Sequence, residues 1–292
     1  MTAPAEPSAQ AREAARRWGL ELVERCSGPY HEVWYASRAG EHVVLKLGGE
    51  ESRRQEAAAL RAYERGAAGW PSPACRVLAE APGALLLERI LLGDDLRPTA
   101  EADDDAATTL AAGLLARLHA AARRSAAEAG RPEGSPALEA IAEAFDRYRA
   151  AGSDRIPPDL VDRAEQTTRG LSAPGPEDLL LHGDLHHQNV LRHGVGGPAD
   201  VWRAIDPRGW WGDPAFDTAA FMVNPHEGGL VRDHPERQAR RRASILAEIA
   251  GLDRERILAW ALAGAVIAEL WCLEDHGFVQ GGPLRLARAL AG

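Results

Sequence analysis

The chain has 292 residues, 45% of them hydrophobic, with 34 Lys plus Arg against 43 Asp plus Glu, a formal net charge of −9 and a pI near 5.6. Nucleic-acid phosphates and anionic membranes are held by clustered cations, so this acidic balance points away from both, while the apolar content suffices for one large domain or two modest ones. The first twenty residues hold no apolar signal-peptide core and no run approaches the roughly 18 apolar residues of a membrane helix, so a cytoplasmic protein, monomeric in expectation, is read from the sequence.

Residues 9 to 24 read as an amphipathic helix broken by Cys26-Ser27-Gly28-Pro29. His31–Ala36 and Glu41–Leu47, joined by Ser37-Arg38-Ala39-Gly40, read as a β-hairpin with Lys46 near the end of its second strand. Residues 51 to 65 lack breakers and should be helical; Cys75–Glu80 and Ala84–Ile90 suggest another strand pair. Beyond Gly93 the pattern turns helical. Residues 103 to 129 carry Leu110, Leu114, Leu115 and Leu118 on one face, residues 136 to 150 form a further helix, and residues 235 to 250 and 253 to 274 two more. Leu179–Leu181 and Val201–Ile205 are short apolar strands around an unusually polar stretch. The fold class is therefore α+β. Cys26, Cys75 and Cys272 are odd in number and far apart, which fits reduced packing thiols better than disulfides or a zinc site.

Two compositional features bear on function. A G+C-rich coding bias accounts for the arginines, but it leaves a single lysine, Lys46, as either an accident or a chemical requirement. Residues 1–90 carry 12 cations and 12 anions and residues 91–292 carry 22 and 31, so the whole negative excess lies in the C-terminal part. A solvated helical surface explains that excess, and so does a cationic small substrate.

The polar stretch is His182-Gly183-Asp184-Leu185-His186-His187-Gln188-Asn189-Val190-Leu191, followed by Ala204-Ile205-Asp206-Pro207. Two strands joined by a turn would bring Asn189 and Asp206 to one end, where an amide and a carboxylate can hold Mg²⁺ through oxygen. Asp184 would then be free to orient and deprotonate a substrate hydroxyl, which is the arrangement phosphoryl transfer needs. Zinc on His182, His186, His187 and His193 is the competing reading, and the interleaved Asp184 and Asn189 favour a hard cation instead. A Walker loop and a dinucleotide fingerprint are both missing.

His182-Gly183-Asp184 through Asn189, with Ile205-Asp206, resembles the catalytic loop and metal aspartate of the aminoglycoside phosphotransferases, relatives of protein kinases. Leu181–Leu191, Ala204–Gly209 and Gly212-Asp213-Pro214-Ala215-Phe216-Asp217 are closest to the streptomycin 6-kinase and hydroxyurea phosphotransferase group. Gln188 stands where many members of that group carry Asp. The resemblance implies a bilobal protein-kinase-like fold, with residues 1–90 as an antiparallel-sheet lobe binding ATP and residues 91–292 as a larger, mainly helical lobe binding the acceptor. It further implies that Lys46 pairs with the α- and β-phosphates of ATP and that Glu56 anchors the lysine, with Glu50 and Glu51 as substitutes. Ser27 and Gly28 would turn over the phosphates, and Glu88, Arg89 and Ile90 would form the hinge at the adenine.

For the acceptor, Asp213 and Asp217 are read as N-caps or braces that could also face a cationic substrate. Glu269, Glu274 and Asp275 are read as either a solvated helix end or an acidic pocket for guanidinium or ammonium groups. The resulting expectation is an ATP- and Mg²⁺-dependent kinase acting on a hydroxyl of a cationic aminoglycoside. Alternatives are a kinase of hydroxyurea or another small amino alcohol, with a smaller acidic pocket, a non-catalytic nucleotide-binding relative, and a metal-dependent hydrolase.

Overall fold

The computed structural model describes residues 6–26, 32–69, 71–194, 201–224 and 234–292. From the N-terminus run α1 (Ala9–Trp18), β1 (Glu21–Cys26), β2 (Glu32–Arg38), β3 (Glu41–Leu47), α2 (Glu50–Gly66), β4 (Val77–Ala81) and β5 (Ala84–Glu88). The five strands make one antiparallel sheet in the order β1-β2-β3-β5-β4. Lys46 thus sits on the middle strand, opposite Val33 on β2 and Leu85 on β5. The first helix is shorter than expected. Gly19 takes a left-handed conformation (φ 63°) and its N–H bonds back to the Ala15 and Arg16 carbonyls, closing α1. Residues 21–24, which the helical reading absorbed, belong instead to the edge strand Glu21–Cys26 paired with β2.

The remainder comprises β6 (Leu92–Asp95), α3 (Arg97–Ala102), α4 (Asp104–Ala129), α5 (Glu143–Ala150), α6 (Pro158–Leu171), β7 (Leu179–Leu180), β8 (Val190–His193), β9 (Val201–Ala204), β10 (Trp211–Gly212), α7 (Ala219–Val223), α8 (Pro235–Ala250), α9 (Arg254–His276) and α10 (Gly282–Ala291). A small antiparallel sheet flanked by the helices α1 and α2 faces a larger, mainly helical body, which is a bilobal α+β architecture. In α4, Leu114, Leu115 and Leu118 are buried and Leu110 partly so; a fully buried leucine contributes roughly 1.5–3 kcal/mol over an exposed one. The main core continues from α2 (Ala57, Leu60, Tyr63) into these helices. Where α2 meets α4, a Cβ on Gly66 would lie 1.9 Å from the Ala121 carbonyl oxygen, so glycine permits the approach. That contact joins the lysine-bearing sheet's helix to the helical body.

One helix departs from the sequence expectation about membranes. α9 is long and apolar enough to cross one, with a mean hydropathy of 1.7 in its best window, but 67% of that window is buried inside the protein. It is the central core helix, with Trp260, Ala261, Val266 and Ile267 enclosed.

Candidate active site

Lys46 and Glu56 are buried together, with the Lys46 Nζ 3.0 Å from Glu56 Oε1. The ammonium also donates to Asp206 Oδ1, joining the sheet to the segment after β9. Behind Glu56, Arg53 lies one turn earlier on α2 and its Nη1 is 2.7 Å from Glu56 Oε2. Burial pushes the Glu56 carboxyl up despite the Lys46 and Arg53 cations. Burial would raise Asp206 as well, but Lys46 outweighs it, aided by Arg208 and Arg53, and holds that carboxyl down at about 2. Glu50 and Glu51 lie exposed in the first turn of α2, so the structure selects Glu56 from the three candidates. Ser27 and Gly28 lie outside the described residues.

The polar stretch forms a compact loop between two short ladders. Leu179–Leu180 pair with Trp211–Gly212, while β8 pairs with β9 so that Val190 faces Ala204. At the end of the second ladder the Ile205 N–H donates to the Asn189 carbonyl at 3.0 Å, bringing Asn189 and Asp206 to one corner. Asp206 adopts a left-handed backbone (φ 61°), a conformation that Asp tolerates better than most residues. Gly183 is left-handed too (φ 80°), and a Cβ there would meet Trp210 Cδ1 at 2.4 Å.

His182 is a neutral brace. Its Nε2 can only donate to the Ile205 carbonyl (2.9 Å), so its Nδ1 accepts from the Asp184 N–H (3.2 Å), and burial lowers its pKa. Asp217 carries the loop from the other side. Its Oδ2 accepts from the His182 N–H (3.1 Å) and from His119 Nε2 (3.0 Å), and its Oδ1 accepts from the Gly183 N–H (2.6 Å). Asp184 itself lies partly exposed on a cavity wall, 3.5 Å from the Arg208 Nη2.

That cavity has a volume of about 700 Å³ and runs from Gly183, Asp184 and Trp210 to Trp271, Glu274 and Asp275 on α9. Of the five carboxylates considered for the acceptor, only Glu274 and Asp275 line it. Asp213 is buried, caps the turn at Ala215, and receives Arg256 (2.7 and 3.1 Å) and the Trp260 indole N–H (2.7 Å). Asp217 is spent on the backbone of His182 and Gly183. Glu269 is fully buried and accepts the Gln280 and Gly281 N–H groups at 2.7 and 2.6 Å, capping α10. The cap and brace reading of Asp213 and Asp217 is the one their contacts fit, and Glu269 is a brace too; the substrate-facing alternative is corrected for all three, because each has its oxygens occupied away from the cavity. Glu274 is also partnered, by Arg147 on α5.

The segment expected to be the hinge uses its side chains for packing. Glu88 accepts from Arg203 (2.8 Å) and Arg76 (3.2 Å), the Arg89 guanidinium lies 3.8 Å over the Tyr35 ring, and Ile90 is buried. Burial would raise Glu88, but these two arginines keep its carboxyl below the usual range.

The donor set at the loop corner suits a hard divalent cation. Asn189 Nδ2 donates to the Asp184 carbonyl at 2.9 Å, which leaves its Oδ1 as the atom that could face a cation, and Asp206 Oδ2 meets no protein donor among the described residues. The histidines diverge instead of converging. His187 is buried and stacks on Phe221 with ring centroids 4.2 Å apart, and burial drives its pKa down to about 2, while His186 Nδ1 accepts from the Gln188 N–H. No cluster of three His, Cys, Asp or Glu side chains placed for a metal occurs among the described residues, so the zinc reading falls. Cys75 is buried with its thiol pushed up to about 12, in keeping with a packing role.

Residues that sequence reasoning did not assign are Arg53, His119, Arg147, Arg208 and Arg256. For Arg53 a signal existed in its spacing of three from Glu56; the others depend on contacts between distant segments.

Residues 21–276 match the family described as aminoglycoside/hydroxyurea antibiotic resistance kinase. The chain is 37% identical over 272 residues to a hydroxyurea phosphotransferase of Kitasatospora aureofaciens, covering 90% of this chain and 72% of that protein. It is 34% identical over 215 residues to a streptomycin 6-kinase of Streptomyces glaucescens, covering 71% and 64% respectively. Among solved structures, an aminoglycoside phosphotransferase in a ternary complex with ADP and hygromycin B superposes with a TM-score of 0.63 at 16% identity, over 96% of this chain and 98% of that one. At that identity the likeness establishes the protein-kinase-like fold.

Proposed function

The chain belongs to the aminoglycoside/hydroxyurea antibiotic resistance kinases and is a phosphotransferase with an alcohol group as acceptor, and we propose that it transfers the γ-phosphoryl group of ATP to a hydroxyl of a cationic aminocyclitol antibiotic, in the manner of a streptomycin 6-kinase. The observation that carries this reading is the cavity. Asp184 lies on one wall and Glu274 and Asp275 on another, and about 700 Å³ is ample for a polycyclic acceptor.

Each residue then has one task. Lys46, held by Glu56, neutralises the α- and β-phosphates, and the main chain of Glu88, Arg89 and Ile90 meets the adenine. Asn189 and Asp206 would hold Mg²⁺, which when bound draws charge off the phosphates. Asp184 orients the acceptor hydroxyl and takes its proton as the oxygen bonds to the γ-phosphorus and the bond to the β–γ bridging oxygen breaks, releasing ADP. Residues up to Ile90 form the nucleotide lobe in this scheme and residues 91–292 the acceptor lobe. An enzyme that consumes ATP and meets its antibiotic after entry works in the cytoplasm.

Hydroxyurea is the second reading, favoured by two observations. The relative matched over 90% of the chain is a hydroxyurea phosphotransferase, and Arg147 offsets the charge of Glu274, which makes the cavity less acidic than its carboxylates alone imply. A non-catalytic relative is disfavoured by the intact Lys46, Asp184, Asn189 and Asp206. ADP release from purified protein with Mg-ATP, tested on streptomycin, other aminoglycosides, small amino alcohols and hydroxyurea, decides between these. Turnover of streptomycin is expected. Release of ADP with hydroxyurea alone would overturn the aminocyclitol reading, and no release with any acceptor would overturn catalysis.

A further inference from the structure

The Arg147–Glu274 pair is a fork-on-fork contact on the cavity wall. Arg147 Nε meets Glu274 Oε1 at 2.9 Å and Nη2 meets Oε2 at 3.2 Å, joining α5 to α9, and both residues line the acceptor cavity. Both side chains are half-exposed, 49% and 48%, so the pair stands in reach of solvent and of an entering cation that can match its two hydrogen bonds. A second carboxylate waits for the arginine. Glu143, one turn earlier on α5 and outside the residues lining the cavity, lies 3.9 Å from Arg147 Nη1. Asp275, next to Glu274, has no cationic partner among the described residues, and Trp271 on the same helix offers an exposed aromatic face to the cavity.

We propose that Arg147 is a resident stand-in for a substrate guanidinium: it occupies Glu274 in the empty enzyme and swings to Glu143 when a guanidino-bearing cyclitol enters, so that the pair sets acceptor specificity. This inference rests on the aminocyclitol reading above and names its charged group. The exchange is balanced in hydrogen bonds and charge. One planar fork leaves the Glu274 carboxylate, another takes both oxygens, and the departing arginine keeps a carboxylate partner. An ammonium group, a point charge without the fork, returns less for the same displacement. Trp271 can stack on the incoming plane. The gate therefore favours guanidino acceptors over aminoglycosides whose cations are all ammonium groups.

The test is calorimetric binding of streptomycin and of an ammonium-only aminoglycoside to the full-length protein, with turnover of streptomycin and hydroxyurea measured alongside. Arg147→Ala removes the competitor, so it should bind streptomycin about fivefold tighter and raise the streptomycin-to-hydroxyurea ratio of kcat/KM by a similar factor. Glu274→Gln should weaken streptomycin binding about tenfold and abolish the gain when combined with Arg147→Ala. Glu143→Gln, a surface change that tests the gate without removing either partner, should weaken streptomycin binding about twofold by denying the arginine its second position. Unchanged or weaker streptomycin binding in a folded Arg147→Ala protein overturns the gate. The two readings fail separately. Streptomycin turnover by the parent with no gain in Arg147→Ala sinks the gate alone, whereas turnover only in Arg147→Ala supports the gate and overturns the parent's acceptor assignment. If neither protein binds or phosphorylates a guanidino cyclitol, both fall.

Discussion

The proposed phosphate end and the proposed acceptor end of the site are built on different terms. At the phosphate end Lys46, Glu56 and Arg53 are all buried and each charge has a partner within 3.0 Å. At the proposed acceptor end Glu274 and Arg147 are half-exposed, and Asp275 has no cationic partner among the described residues. A buried ion network tolerates almost no substitution, because removing one partner strands the others in a low dielectric. Exposed pairs cost little to exchange. One enzyme can therefore keep its phosphoryl chemistry while its acceptor wall drifts, which fits a family whose name spans antibiotics as different in size as aminoglycosides and hydroxyurea.

The largest expected effect is at the point where the two ends meet. Asp184→Asn keeps the shape of the side chain and removes the base, so kcat should fall about 10³-fold with nucleotide binding retained; a near-parental rate in a coupled ADP assay would remove Asp184 as the base. Next is Lys46→Arg. The ammonium donates to Glu56 and Asp206 from a buried position, and a planar fork cannot reproduce that point charge without shifting one of them. A loss of roughly 10²-fold in kcat/KM for ATP is expected, the scale of losing one preorganised donor. Equal activity would reduce the lone lysine to an accident of base composition.

How much of this was readable in the sequence follows the same division. The Lys46 hairpin, the helix carrying Glu56 and the meeting of Asn189 with Asp206 all follow from local alternation, a breaker-free run and a short loop, which act over a few residues. The partners of the buried carboxylates were illegible for the opposite reason. Asp217 is tied to His119 and the 182–183 backbone, Asp213 to Arg256 and Trp260, and Glu269 to the start of α10, and no periodicity encodes a partner 11 to 98 positions away. The edge strand at Glu21–Cys26 was hidden because its exposure pattern does not alternate: it is mostly solvent-facing, and pairing with β2 defines it.

Two predictions probe the braces that separate the ends. Asp217→Ala leaves the buried His182 and Gly183 N–H groups and His119 without an acceptor, so stability should drop by about 2–4 kcal/mol, read by urea unfolding. A loss under about 0.5 kcal/mol would show that the carboxylate does not hold the loop. His187 sets a pH limit. Its pKa falls from 6.5 unfolded to about 2 folded, so below pH 6.5 the unfolded chain binds the extra proton and stability is lost as pH falls from there, by up to about 1.4 kcal/mol per pH unit. His182 is lowered in the same direction and adds to the slope. His187→Phe preserves the stack on Phe221 and removes one of these two titrations, so its stability curve between pH 6.5 and 4.5 should be shallower than the parent's. A parallel curve would mean that His187 is not held neutral.

The smallest effect belongs to Asp275, and its size is itself informative. Its carboxylate lines the cavity beside Glu274 and pairs with no cation among the described residues, so it is free to attract a charged acceptor without displacing anything. Exposed ion pairs contribute about 0.2–1 kcal/mol, so Asp275→Asn should raise KM for a cationic aminocyclitol only about two- to fivefold. The increase should shrink as salt is added, since screening at 1 M confines charge effects to about 3 Å. A hundredfold rise would mean that the acceptor wall closes over the substrate and excludes water on binding, which would make the acceptor end as desolvated as the phosphate end and erase the contrast drawn between them.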